Sequence, residues 1–123
     1  MKRAIFGLLC LFVLGCGGQG APEPASYCGE MPDSGNFDIY GRCVITIGTD
    51  YQVLGTISRG SDRFEIRGEM QANGYFTGIL DGPVDYNVSG TMQSSGSDDV
   101  TINWTIGARA DENDQVSFTL GRC

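Results

Sequence analysis

The chain has 123 residues, eight basic and fifteen acidic, a formal charge of −7, and no histidine. That length suits a single domain. Without imidazole the commonest general base and metal ligand at neutral pH is missing, which removes Ser-His-Asp and Cys-His catalysis and the usual zinc sites.

Met1, Lys2 and Arg3 form a basic head, residues 4–14 are apolar apart from Gly7, and Gly15 precedes Cys16. A bilayer span needs about 20 apolar residues. This run is too short for that and instead fits the apolar core of a secretory signal with a small residue at the cut. The segment Val13-Leu14-Gly15-Cys16 resembles the lipobox of bacterial lipoprotein signal peptides. Cys10 does not fit the same pattern, because Leu9 before it is not small. The resemblance implies that residues 1–15 are a removed signal peptide. It also implies that Cys16 is diacylated on sulfur with palmitate-type chains, and that the lipid bilayer is the first partner. Two chains are enough for a stable anchor. Gly17 stands where an aspartate would retain such a protein in the inner membrane, so the resemblance implies the outer membrane.

Cleavage before Cys16 would remove Lys2 and Arg3 from the eight basic residues, leaving six, all arginine, against fifteen acidic ones. Such a domain has no basic patch to neutralise phosphates, so nucleic acid is not an expected partner. With no lysine left, Schiff-base and Ser-Lys chemistry are also excluded. The chain reads as a non-enzyme that needs no cofactor or metal.

Residues 16–35 read as the lipidated cysteine and a flexible tether, clearest in GGQGAPEPAS over residues 17–26. Fully extended, those ten residues would reach roughly 33 Å. The domain proper is expected over residues 36–123.

There the apolar residues alternate, the signature of half-buried strands. Phe37, Ile39, Gly41, Cys43, Ile45 and Ile47 share one face, followed by Tyr51, Val53, Gly55 and Ile57. Next come Phe64, Ile66, Gly68 and Met70, then Phe76, Gly78 and Leu80, then Tyr86, Val88, Gly90 and Met92. Val100, Ile102, Trp104 and Ile106 form the sixth run, and Val116, Phe118 and Leu120 the last. Turn formers separate them. A glycine sits between apolar residues in VLGTI, IRGEM, FTGIL and VSGTM, at positions 55, 68, 78 and 90. Glycine on the apolar face of a strand lets a sheet bend sharply, or leaves room for a ligand inside.

The expected fold is therefore all-β, an antiparallel up-and-down meander of seven or eight strands forming a small barrel or flattened sandwich. An eighth strand would come from a bend at Gly41 within residues 36–48. A packed interior would bring Trp104, Phe64, Phe76 and Phe118 together; a hollow one would leave a cavity.

An exported domain forms disulfides. With Cys16 lipidated, Cys28, Cys43 and Cys123 remain, and the preferred pair is Cys43 with Cys123, joining the first clear strand to the last. Cys28 with Cys43 is the alternative. Acidic turns at Asp98-Asp99, Asp81 with Asp85, and Asp111-Glu112-Asn113-Asp114 supply oxygen ligands of the kind calcium takes. The last of these has Val116 where the EF-hand needs glycine and Arg122 where it needs glutamate, so all three read as solvated hairpin turns. Two functions are compatible with these features. One is a structural or protein-interaction module of the bacterial envelope, with an envelope protein as partner. The other is a barrel-type binder of a small apolar or sugar ligand.

Overall fold

A computed structural model describes residues 20–96, 98–109 and 112–123. The stretch read as a signal peptide with a lipobox, and Cys16 with it, lies outside the described residues, as does Asp111. Eight strands run in chain order: β1 (Ser26–Met31), β2 (Gly41–Ile47), β3 (Gln52–Arg59), β4 (Asp62–Met70), β5 (Tyr75–Asp81), β6 (Tyr86–Ser94), β7 (Asp99–Arg109) and β8 (Glu112–Arg122). Each pairs antiparallel with the next, and β1 pairs antiparallel with β8, so the meander closes into a barrel. The closing seam is short, with Tyr27 opposite Arg122 and Cys28 opposite Gly121.

The seven alternating runs become β2 to β8 in the expected phase. Ile45, Ile47, Val53, Ile57, Ile66, Met70, Phe76, Leu80, Val88, Met92, Ile102, Trp104, Ile106 and Leu120 all point inward and are buried. Slipping any strand by one residue would turn this set outward and bring Arg67 or Glu65 into the core, so the pattern fixes the register.

The eighth strand is not where the bend at Gly41 would have placed it. Residues 36–40 are irregular, β2 begins at Gly41, and the extra strand is β1, within the stretch read as tether. Tyr27 and Met31 are its buried inward residues. The barrel thus begins at Ser26 rather than at residue 36, and the chain is already docked at Gly20. The Gly20 carbonyl accepts a hydrogen bond from the Ser94 N–H on β6, and the Ala25 carbonyl accepts one from the Ile47 N–H on β2. In an eight-stranded barrel β2 and β6 are opposite, so residues 20–25 cross one mouth, called the lower end here. Pro22 is buried there, and Ala21 and Ala25 pack on the core.

The cysteine pairing also differs from the expected one. Cys28 is bonded to Cys123, with Cα atoms 5.2 Å apart, and Cys43 is a free, buried thiol. Once β1 is recognised as a strand the reason is plain: Cys28 pairs with Gly121 across the closing seam, while Cys43 points into the core opposite Ile57.

The glycines at 55, 68, 78 and 90 mark places where neighbouring strands approach too closely for a side chain. A Cβ at Gly68 would overlap the Thr77 carbonyl oxygen and meet the Phe76 ring at 2.8 Å. Gly78, its direct partner across β4 and β5, would meet the same ring at 2.7 Å. Phe76 therefore lies over a glycine pair, and the glycines serve curvature and aromatic packing instead of opening a ligand space.

Candidate functional site

The interior is the natural place to look for a ligand, and it is filled. The Trp104 ring stacks on Phe76 with centroids 5.3 Å apart and meets Phe118 edge-on at 5.9 Å. These three aromatics meet at the centre, as a packed barrel requires. Phe64 does not join them. It lies 6.1 Å from Tyr86, which in turn lies 4.8 Å from Phe37. That group closes the upper mouth. The indole N–H of Trp104 is buried with no acceptor among the described residues, an arrangement that commonly costs about 1–3 kcal/mol.

The upper mouth is covered by residues 32–40, the β1–β2 connection. Ile39 is fully buried, and Phe37 reaches across to Tyr86 on β6. This plug is fastened by one carboxylate. Asp114 on β8 is 4 % exposed. It accepts hydrogen bonds from Ser34 Oγ at 2.9 Å, from the Asn36 N–H at 2.9 Å and from the Phe37 N–H at 2.8 Å. Ser34 Oγ in turn accepts from the Ile39 N–H at 3.1 Å. Burial pushes the Asp114 carboxyl up. The bonds from Phe37, Ser34 and Asn36 outweigh it and hold the group below its ordinary value. Asp114 is thus a structural anchor and not part of a solvated turn.

A carboxyl held low in the folded state adds stability above its unfolded value, and that contribution is lost as pH falls through the folded value. Asp114→Asn keeps one acceptor and removes the charge. It should cost about 2–4 kcal/mol at neutral pH, the range for breaking a buried, charge-assisted network. It should also flatten the acid side of the stability profile. Urea unfolding at neutral and acid pH checks both effects; a variant as stable as the parent at both would contradict the anchor.

Among the described residues no three Asp, Glu or Cys side chains converge as a metal site. Arg67 pairs with Asp81 at 2.9 Å on the barrel surface, both half-exposed, a contact worth at most about 1 kcal/mol. Tyr40 and Tyr75 are partly exposed on the outward phase, and the Arg59 guanidinium lies 4.2 Å above the Tyr40 ring. Cys43 is buried, and that burial pushes its thiol up to about 12, which disfavours the reactive thiolate.

What remains is the outer wall. Among the described residues it carries open concavities. One of about 420 Å³ is lined by Asn87, Ser89, Thr105 and Asn113 among others. A second of about 230 Å³ lies beside Asn103, Thr105, Gln115 and Ser117. A third, of about 300 Å³, sits on β3 and β4 by Leu54, Glu65 and Arg67. The first two share Thr105 and form one polar surface over β6, β7 and β8. Alternation predicts that these side chains face out; only strand pairing shows that they adjoin.

No family model, curated protein or solved structure matches the chain.

Proposed function

We propose that the protein is a lipid-anchored module of the bacterial outer membrane, held through an acylated Cys16, whose solid barrel serves structure and protein interaction. The sequence Val13-Leu14-Gly15-Cys16 behind a basic head and an apolar run carries the anchor. The barrel supports the second half of the reading. Its centre is occupied by Phe76, Trp104 and Phe118, and residues 20–25 and 32–40 lie over the two mouths, which favours this reading over a barrel that holds a small apolar or sugar ligand inside.

The docked segment at the lower end sets how the barrel would sit. Only Gly17, Gly18 and Gln19 stand between Cys16 and Gly20, a reach of at most roughly 14 Å when extended. The lower end therefore lies against the bilayer, and the plugged upper end faces away, presenting exposed Tyr40 and Val84 to an envelope protein.

Cys16→Ala tests the anchor. In bacteria fed labelled palmitate, the parent protein should carry label and sediment with membranes, and the variant should carry none. A parent protein without label would contradict the reading.

A further inference from the structure

The outward side chains of β6, β7 and β8 have one chemistry. On β6 they are Asn87, Ser89, Thr91 and Gln93; on β7, Thr101, Asn103 and Thr105; on β8, Asn113, Gln115, Ser117 and Thr119. Every one is an uncharged amide or hydroxyl, on a chain where fifteen residues are acidic. Strand register sets them in rows: Ser89 beside Thr105 beside Gln115, Thr91 beside Asn103 beside Ser117, and Gln93 beside Thr101 beside Thr119. The Ser117 hydroxyl donates to Asn103 Oδ1 within its row. Asp99 and Glu112 stand only at the strand ends, and the wall on β2 to β5 carries Arg42, Arg63, Glu65, Arg67 and Glu69 instead.

Solubility alone asks for no such segregation; mixed charges serve it better. The composition also limits what the face can hold. It has no cation for phosphate or another polyanion. Of the large exposed apolar residues, Leu54, Val84 and Tyr40 lie elsewhere, while Ile79 and Tyr75 on β5 border the face beside Asn87 and Thr91. On the three strands themselves lipid finds no apolar purchase, and a protein partner finds none of the aromatic, arginine or aliphatic anchors that carry interface energy. Hydroxyls and amides that both donate and accept suit a ligand with dense, uncharged hydroxyl groups. Two open concavities of about 420 and about 230 Å³, with Thr105 in both linings, lie on this face, and together they suit an extended chain more than a small molecule.

We infer that the β6–β7–β8 wall is a binding face for a neutral polysaccharide. The inference rests on the envelope location proposed above, where such chains are met, but its test is independent of acylation.

The mature protein, in a sugar-free nonionic detergent, is run through gels containing dextran, mannan or galactan, with polygalacturonate as the anionic comparison. Retardation by at least one neutral polymer, little changed between low and high salt, is the expected result, because no ion pair contributes. The double variant N103E/Q115E, at exposed positions, should fold with an unchanged thermal midpoint and bind at least about tenfold more weakly, since unpaired charges would have to be desolvated. The exposed double variant R63S/E69S on the opposite wall should bind as the parent does. Failure of all three neutral polymers, retention by N103E/Q115E equal to the parent, or preference for polygalacturonate would each overturn the inference. Palmitate label on Cys16 is read separately, so a failed polysaccharide face leaves the anchor standing and the reverse also holds.

Discussion

Replacing Cys123 with serine should destabilise the mature domain by about 4–5 kcal/mol, the chain-entropy value for a loop of this size. The bridge spans 95 residues, from β1 to the end of β8. It also closes the thinnest part of the barrel. β1 and β8 are in register only at Tyr27 with Arg122 and Cys28 with Gly121, whereas β7 and β8 pair along nearly their whole lengths. A loss of that size lowers Tm by roughly 20–30 °C in a domain of about 100 residues. Cys28→Ser should match it, and Cys43→Ala should cost only about 1 kcal/mol, as a small buried truncation. In the folded parent, no thiol should react with an alkylating reagent, and one should react after unfolding. A Cys43→Ala variant as unstable as Cys123→Ser would mean that the pairing is wrong.

Gly90→Ala should cost about 3–4 kcal/mol. Gly90 has φ +148°, and a Cβ there would overlap the Asn103 carbonyl oxygen and lie 3.0 Å from the Trp104 Cα. Two penalties combine: backbone strain of about 1–3 kcal/mol and overpacking of about 1–3 kcal/mol. Gly96 separates them. It has φ +126°, with nothing within 4 Å of the built Cβ, so Gly96→Ala reports backbone strain alone. Denaturant unfolding of the pair should show Gly90→Ala costing at least about 1 kcal/mol more. Equal costs would mean that close strand approach is not why glycine recurs on the apolar face.

Much of the fold was legible because alternation is a direct readout of inside and outside. Ile102, Trp104 and Ile106 could not have been placed otherwise without exposing apolar surface. β1 was not legible. Its SYCGEM holds only Tyr27 and Met31 as large inward residues, with Gly29 between them, and it follows a Pro-rich stretch. Missing β1 made the disulfide unreadable too, since a cysteine in a tether has no fixed neighbour. Asp114 is a different kind of miss. It stands two residues before Val116, in phase with Phe118 and Leu120, so alternation already placed it inside; the acidic residues around it drew the reading toward a solvated turn. The unpartnered Trp104 N–H follows from no local pattern, because what lies near it depends on how eight strands close. The uncharged wall was written in the sequence throughout, yet its rows exist only once β6, β7 and β8 are paired.

Anchorage and a sealed barrel make one joint demand on the mature chain, and intact-mass spectrometry of protein extracted from membranes addresses it most directly. The account predicts a polypeptide beginning at Cys16, heavier by its acyl groups and lighter by the two hydrogens of one disulfide, with no small molecule carried along. A chain that still begins at Met1, unacylated and recovered from the soluble fraction, would contradict it.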